Sequence, residues 1–412
     1  MATPQRKEIR SLSADDLQAM RDAYQALQNQ SPGTSTSYQF NAGVHGIPMG
    51  FCPHGSPFFL AWHRLYIWMF EQALGQAIGK SDFRLPYWDW TSSDSIAQGI
   101  APAFSDPTYA RPDGTQVANP LVGATVGVED NRPTSRAPDD PSLLASYGQQ
   151  VIDSVNNNNT YLSFNAAIEQ PHNNLHVWVG GDMGIIAYAA YDPIFWCHHA
   201  NIDRQWAVWQ ASGNNGIPPE PYYSSSLKNR FPQDWNVAQA VKDVIDYRSL
   251  GYEYDNLTLG AGAMAMQRLD AKGVAAFDRP AAQPKVILRV FGTAMTPESY
   301  KVHVFINHPA ADHKTQRAGN DQFATTFGFF GGMPGMGGMP GMQPQAQQPG
   351  ATMPHRPAGT PQEIQRLDIT DAVARSVPPG GQFTVKLVAT DMKGKPVDLS
   401  KLPITGISID HE

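Results

Sequence analysis

Two groups of histidines stand beside the most aromatic segments of the chain. Seven of the twelve histidines belong to them: His45, His54 and His63 in the first group, and His172, His176, His198 and His199 in the second. Imidazole is the usual nitrogen ligand for copper, zinc and iron, and a dry site of neutral nitrogens suits cuprous copper or zinc. Without a metal, each buried ring nitrogen left unpaired would cost about 1 to 3 kcal/mol. The grouping therefore favours metal binding over chance burial.

Spacing limits how the second group can share an ion. His172 and His176 are four residues apart, a rise of about 6 Å and nearly a full helical turn, so both rings project from one helical face. His198 and His199 are adjacent and point about 100 degrees apart on a helix, so only one of them can readily join that ion.

The apolar pattern predicts the helices that must position these histidines. Residues 57 to 78 are apolar nearly all round, which is typical of a helix buried on most sides, and they contain His63. The segments NAAIEQPHNNLHVWV and DPIFWCHHANIDRQWAVWQ predict two more helices. Residues 92 to 160 are rich in Gly, Pro, Asn, Asp and Ser and predict a long looped excursion.

From Val286 onward the pattern is that of β-strands. VILRVFG, YKVHVFI and FTVKLVA are short, β-branched and aromatic, and in YKVHVFI apolar residues alternate with Lys301 and His303. This predicts an antiparallel β-domain with His303 in solvent. Residues 331 to 361, rich in Gly, Pro and Met, predict a flexible insertion. Its methionines are soft ligands that could attract cuprous ions, and a mobile linker explains them equally well.

Composition excludes several classes of partner. The 412 residues are 41% apolar and carry a net charge of -7 without a basic run, which predicts a buried core and argues against nucleic acid or an anionic membrane as partner. Two cysteines are too few for a disulfide framework, no apolar signal segment opens the chain, and charges interrupt each candidate membrane span. We expect a cytoplasmic protein that binds small molecules, either alone or as a homo-oligomer.

Longer motifs around the histidines resemble the two copper signatures of the tyrosinase family, which includes tyrosinases, catechol oxidases and molluscan hemocyanins. They are HGSPFFLAWHRLYIWMFE at 54 to 71 and DPIFWCHHANID at 192 to 203, and PYWDW, PHNNLH and the tyrosine motif GYEYD occur in the family's order. The resemblance implies a mainly α catalytic domain, in which a four-helix bundle holds a dicopper centre, and a C-terminal antiparallel β-sandwich-like domain. The expected bounds are 1 to 260 for the catalytic domain, 261 to 284 for a linker and 285 to 412 for the β-domain.

The resemblance implies a role for each histidine of the two groups. His45, His54 and His63 would hold the first copper ion, His172, His176 and His199 would hold the second, and His198 would line the site as a neighbour. Cys52, two residues before His54, matches the position of a thioether to that imidazole; a small buried thiol is the alternative. Asp203 and Arg204 would tie helices together and orient ligands.

The resemblance also implies a reaction. A type 3 pair of copper ions uses O2 to hydroxylate monophenols at the ortho position and to oxidise diphenols to ortho-quinones. Asn173 and Glu169 match the residues that hold the water which deprotonates the phenol. Their alternatives are a surface helix residue for Asn173 and a first-turn charge for Glu169.

Two further elements would control access to the site. Ile185 or Ile186 would be a bulky gate at the entrance, and core packing is the alternative for both. One phenylalanine of the segment FATTFGFFGG would act as a plug inserted by the β-domain, with hairpin packing as the alternative; the candidates are Phe327, Phe329 and Phe330.

Other functional classes stay open at this point. Catechol oxidase and ortho-aminophenol oxidase share the same ligands without monophenol hydroxylation. A hemocyanin-like oxygen carrier shares the copper pair and blocks the organic substrate. A zinc or iron hydrolase is disfavoured because no extra carboxylate lies within either histidine set.

Overall fold

The structure is a computed structural model, and it describes residues 3–127, 130–214, 216–259, 285–292, 296–332, 362–378 and 381–411. The expected linker at 261 to 284 and nearly all of the expected insertion at 331 to 361 lie outside these residues. The first part of the chain is helical; its helices are α1 (Ala14–Gln28), α2 (Tyr38–His45), α3 (Phe59–Ala77), α4 (Ser93–Gln98), α5 (Pro102–Ser105), α6 (Leu143–Asn157), α7 (Tyr161–Val179) and α8 (Ile194–Ala211).

Local capping explains where the site helices begin. The Thr160 side chain accepts a hydrogen bond from the backbone N–H of Ser163 at the start of α7. At the start of α8, Asp192 Oδ1 accepts from the backbone N–H of Ile194 at 3.1 Å. Both contacts satisfy N–H groups that have no partner inside the helix.

The prediction of a looped excursion over 92 to 160 is wrong near its start, where the short helices α4 and α5 lie, and for its last part. Helix α6 occupies Leu143–Asn157, and its buried residues include Leu144, Tyr147, Val151 and Val155. Their spacing of three to four residues is that of one helical face. The polar and small residues between them dominate the composition and conceal this period.

A buried network of charged and tyrosine side chains ties the helices to the two ends of the helical region. Asp203 of α8 pairs with Arg64 of α3 and with Arg6 near the N-terminus, and accepts hydrogen bonds from Tyr252 at 2.6 Å and Tyr254 at 2.5 Å. Burial would raise the pKa of Asp203, but the two arginines outweigh it and lower this pKa. The expectation that Asp203 ties helices together is met by these contacts, and the motif GYEYD supplies both tyrosines.

Short strands accompany the helical region, and the C-terminal part of the chain consists of antiparallel sheets. The strands of the helical region are β1 (Gln5–Arg6), β2 (Thr108–Ala110), β3 (Gln116–Ala118), β4 (Thr125–Val126), β5 (Arg132–Pro133) and β6 (Glu253–Tyr254). The C-terminal elements are β7 (Val286–Gly292), β8 (Tyr300–Ile306), β9 (Phe323–Phe329), β10 (Gln362–Asp368), α9 (Thr370–Ser376), β11 (Val385–Asp391), β12 (Pro396–Val397) and β13 (Ile404–His411).

Two sheets make up this C-terminal β-domain. Their strand orders are β10-β7-β13 and β12-β11-β8-β9, and every pairing is antiparallel. Apolar residues of both sheets, among them Leu288, Val302 and Phe327, form one buried cluster. The expected fold class, a mainly α domain followed by an antiparallel β-domain, is therefore confirmed.

His303 is not in solvent, contrary to the prediction from strand alternation. It is only 6% exposed, and its Nδ1 lies 2.8 Å from Thr326 Oγ1 on the neighbouring strand. Burial lowers the pKa of His303 to about 4. The alternation rule fails here because β8 is covered on both faces: Val302 and Val304 join the core of the β-domain, while the opposite face turns toward the helical domain.

The β-domain packs directly on helix α7. The backbone N–H of Gly328 in β9 donates to Asn174 Oδ1 at 2.8 Å, and Tyr147 OH donates to Thr326 O at 2.9 Å. A Cβ atom at position 328 would lie 2.6 Å from Val177 Cβ, so the close approach of strand and helix requires glycine.

An ion-pair cluster closes the edge of the same interface. Asp139 contacts Lys301 and Arg317 of the β-domain, each at 2.9 Å. Burial alone would raise the pKa of Asp139, but the two cations outweigh it and lower this pKa to about 2.

Among the described residues, none of the helices has the length and apolar character that a bilayer crossing demands.

Candidate metal centre

The first histidine group is assembled from two helices and the loop between them. His45 is the last residue of α2, His63 lies in α3, and His54 lies in the connecting loop. His45 Nδ1–H donates to Ile186 O at 3.1 Å, and His63 Nδ1–H donates to Phe59 O at 2.8 Å. A carbonyl can only accept, so in a neutral ring each proton sits on Nδ1 and the lone pair sits on Nε2. The Nε2 atoms of His45 and His63 therefore each have a lone pair that can bind a metal ion.

In the second group, His172 and His176 on α7 show the same arrangement, whereas Nδ1 of His199 on α8 has no hydrogen-bond partner among the described residues. His176 Nδ1–H donates to Met183 O at 2.9 Å, and His172 Nδ1–H donates to Asn173 Oδ1 at 3.0 Å. The Nε2 atoms then converge: His172 lies 3.0 Å from His176 and 3.2 Å from His199. The unprotonated Nε2 atoms of His172 and His176 repel one another at this distance unless a cation lies between them.

The two groups face each other inside the helical domain, where most of their rings are buried. The rings of His63 and His199 are stacked with centroids 4.3 Å apart, and those of His54 and His172 are 5.4 Å apart. Burial lowers the pKa of His54 to about 3, and burial together with neighbouring histidines lowers the pKa of His45 and His63 well below the ordinary range. Neutral rings are the form that binds metal. Two opposed sets of neutral imidazoles fit a pair of copper ions.

His198 is buried within the second group but has the opposite hydrogen bond. Its Nδ1 lies 3.1 Å from Trp90 Nε1, and its ring is stacked on His172 at 5.1 Å. Trp90 is not among the residues that the sequence predicts for the site. The motif PYWDW contains Trp90, and a buried indole N–H needs a hydrogen-bond acceptor. No pattern in the neighbouring sequence identifies His198 as that acceptor.

Cys52 lies inside the first group. Its Sγ is 3.2 Å from Nδ1 and 3.8 Å from Nε2 of His54, and 3.3 Å from Nε2 of His63. The ring carbon Cε1 of His54 is bonded to both nitrogens, so a sulfur close to both is near that carbon. Burial raises the pKa of the Cys52 thiol well above its usual value. The thioether to His54 stays a prediction that this contact permits.

Glu169 and Asn173 are one helical turn apart on α7, and both are buried, at 5% and 4% exposure. Glu169 Oε1 accepts a hydrogen bond from the backbone N–H of Gly55 at 2.7 Å, beside His54. Burial raises the pKa of Glu169 to about 8, although the Gly55 contact opposes this. The alternative interpretations, a surface residue and a first-turn charge, are wrong for these positions.

One of the three plug candidates lies over the histidines. The ring of Phe330 is stacked on His176 with centroids 4.2 Å apart and meets His54 edge-on at 5.4 Å. Phe327 and Phe329 instead belong to the core of the β-domain. Strand β9 ends at Phe329, so the chain leaves the sheet and carries the next ring into the helical domain.

The loop with the two gate candidates connects the β-domain to a histidine. The backbone N–H of Ile186 donates to Gly331 O at 3.2 Å, and the Ile186 carbonyl accepts from His45. The Ile186 side chain is half-buried against the helical core, and Ile185 is also half-buried. Partial exposure fits the rim of an entrance, and the gate role stays a prediction.

Comparisons with known proteins identify the family. The family model described as "Common central domain of tyrosinase" matches residues 35–212. Hemocyanin 2-c chain of Megathura crenulata is 30% identical over 318 residues, which cover 66% of this chain and 73% of that protein. Hemocyanin 1 of the same organism is 30% identical over 291 residues, or 62% of this chain, and the chain spans only 8% of it.

Solved structures share the whole architecture. A functional unit of octopus hemocyanin has a TM-score of 0.68 at 23% identity, covering 98% of both chains. Recombinant mushroom tyrosinase has a TM-score of 0.70 at 17% identity, covering 99% of this chain and 92% of that one. At these identities the likeness concerns the fold.

The family match identifies the two histidine groups as a dinuclear type 3 copper site. The chain belongs to the tyrosinase family of type 3 copper proteins, which contains both enzymes and hemocyanin carriers.

Proposed function

We propose that the chain is a tyrosinase that uses O2 to hydroxylate monophenols at the ortho position and to oxidise ortho-diphenols to ortho-quinones. Bound copper would supply the exchange of two electrons with O2. We assign the ligands by their convergent nitrogens: His45, His54 and His63 for one ion, and His172, His176 and His199 for the other. The protein keeps these rings neutral by burial and orients four of them through Nδ1–H donation.

The observation that carries the enzymatic proposal is the buried pair Glu169 and Asn173 beside His172. An oxygen carrier has no need of a base in its pocket, whereas hydroxylation requires that the phenol lose its proton. Burial raises the pKa of Glu169, so its ionised form is a stronger base than an ordinary carboxylate. We propose that Glu169 takes it through a water that Asn173 helps to hold. The pair is one turn apart on α7, which brings both side chains to one face of the helix.

Access to the pocket would be controlled by Phe330. Its ring covers His176 and His54, so a phenol could not stack there until the ring moves away. We propose that Phe330 is the plug and that the uncleaved enzyme is latent. The half-buried residues Ile185 and Ile186 would border the entrance, since the backbone of Ile186 joins the end of the plug segment at Gly331.

An oxygen carrier is the second candidate, favoured by two observations. Hemocyanin 1 and Hemocyanin 2-c chain of Megathura crenulata are each 30% identical to this chain, and the ring of Phe330 covers the histidines on which a phenol would stack. Catechol oxidase and ortho-aminophenol oxidase are enzymatic variants of the proposal. All four share the copper ligands, so substrate turnover must separate them.

The test is turnover of tyrosine, catechol and 2-aminophenol, measured side by side on copper-loaded chain and on its Phe330→Ala variant. Oxidation of both tyrosine and catechol supports tyrosinase. Oxidation of catechol alone indicates catechol oxidase, and preference for 2-aminophenol indicates the third enzyme. Reversible O2 binding with no turnover, even after Phe330→Ala, would identify a carrier and overturn the proposal.

A further inference from the structure

His198 differs from the other imidazoles of the pocket in which nitrogen can carry the proton. Indole Nε1–H is only a donor, so the Trp90 contact at 3.1 Å requires a lone pair on His198 Nδ1. A ring with its lone pair on Nδ1 carries its proton on Nε2. The contact excludes the doubly protonated ring as well, because that form has N–H groups at both positions. In His45, His63, His172 and His176 the carbonyl partners demand the reverse arrangement.

This tautomer decides which of two adjacent histidines can bind metal. Nε2 of His198 carries the hydrogen and offers no lone pair, and its Nδ1 lone pair is already used by Trp90. Nε2 of His199 converges on Nε2 of His172 at 3.2 Å and on Nε2 of His176 at 3.4 Å. Adjacency in sequence gives both histidines access to the pocket, and the indole of Trp90 distinguishes them.

The proton on His198 also has no protein partner. His198 is fully buried, and its Nε2 has no hydrogen-bond partner among the described residues. Its ring centre lies 5.1 Å from His172, 4.8 Å from His176 and 5.1 Å from His199. An unpaired buried donor is unfavourable until a ligand accepts its hydrogen bond.

We propose that Trp90 holds His198 as a neutral imidazole protonated on Nε2, which keeps His198 off the metal and makes it the hydrogen-bond donor that positions the anionic oxygen of a bound phenol. The first half of this proposal concerns the protein alone. The second half rests on the proposed function, because it requires a phenolic substrate. His198 is therefore a positioning residue, and Trp90 acts through it.

The tautomer is tested on the wild-type chain without copper, so no variant has to fold. Long-range ¹H–¹⁵N spectra of histidine-labelled protein distinguish protonated from unprotonated ring nitrogens. We expect His198 to be protonated at Nε2 and His45, His63 and His176 at Nδ1. Trp90→Phe should abolish the single tautomer of His198 and leave the other three unchanged. A His198 signal protonated at Nδ1 or averaged over both nitrogens in the wild type would overturn the proposal.

Copper content tests the exclusion from the metal. His198→Gln and His198→Leu should each retain two copper ions per chain, one for each histidine group, whereas the matched variant His199→Gln should retain only one. The reverse result, with copper lost from the His198 variants, would identify His198 as a ligand.

Substrate kinetics test the donor role. Glutamine can accept from Trp90 through Oε1 and donate through Nε2, as His198 does, so His198→Gln should keep the KM for catechol within a few-fold. Leucine cannot donate, and His198→Leu should raise KM about tenfold or more with a smaller change in kcat. Equal KM values for the two variants would overturn the donor role. If the wild type oxidises no phenol, the proposed function and this role fail together, while the spectra and copper content still decide the effect of Trp90.

Discussion

Replacing Phe330 by alanine tests directly whether the β-domain closes the copper site. The ring is 1% exposed, lies parallel to His176 at 4.2 Å with an interplanar angle of 10°, and meets His54 edge-on. Alanine removes this cover while leaving the ion pairs of Asp139 and the hydrogen bond from Gly328 in place. The β-domain should therefore stay folded and attached.

The expected size of the effect follows from the burial of one aromatic ring. Burying a phenylalanine side chain contributes about 1.5 to 3 kcal/mol. If that energy favours the closed position, its loss shifts the ratio of closed to open protein about 10- to 100-fold, since about 1.4 kcal/mol corresponds to a factor of ten. We expect the initial rate of catechol oxidation by uncleaved, copper-loaded chain to rise at least about tenfold.

A matched variant separates opening of the site from loosening of the β-domain. Phe329 is the preceding residue and is 3% exposed, but it packs in the core of the β-domain. Phe329→Ala should lower the melting temperature at least as much as Phe330→Ala, because a large side chain is lost from a core in both cases. Phe329→Ala should raise the initial rate of catechol oxidation far less than Phe330→Ala does. Equal rates for Phe330→Ala and the wild type, or equal activation by both variants, would refute the role of Phe330 as a plug.

Three further predictions follow from the pocket. Asn173→Ala should abolish hydroxylation of tyrosine and preserve oxidation of catechol, measured as separate rates; an equal fall in both would show that Asn173 does not serve deprotonation. Burial raises the pKa of Glu169 from its ordinary value near 4.5 to about 8, so its contribution to stability is complete below pH 4.5 and is lost as the pH rises through 8. Melting curves of copper-free protein should show a loss between pH 5 and pH 9 that Glu169→Gln reduces, and identical curves for the two proteins would contradict the shift. If Cys52 forms the thioether with His54, the S–H and the ring C–H lose one hydrogen each to O2 as oxidant, and the intact mass of copper-treated chain should be about 2 Da below the reduced mass. An unchanged mass in that sample, equal to the mass before copper treatment, would exclude the bond.

Much of the fold was predictable because its signals are local. The helix that carries His63, the helices around His172 and His199, and the strands from Val286 onward each have an apolar period that is visible in a short segment. Helix α6 was missed because its buried face is diluted by Gly, Ser, Gln and Asn, so composition and period disagreed. Burial of His303 was missed because strand alternation predicts one covered face, whereas the helical domain covers the second.

The sequence by itself determined which residues are available for chemistry: two groups of imidazoles, a thiol beside one of them, and a carboxyl and an amide one turn apart on a helix. These are matters of residue type and short spacing, which the chain carries along its length. Only the tertiary structure decided what each group can do. The proton position on His198 depends on Trp90, 108 residues away, and the cover over His176 depends on Phe330 from another domain. Such contacts join segments distant in sequence, and the energy of each depends on packing that no local pattern records.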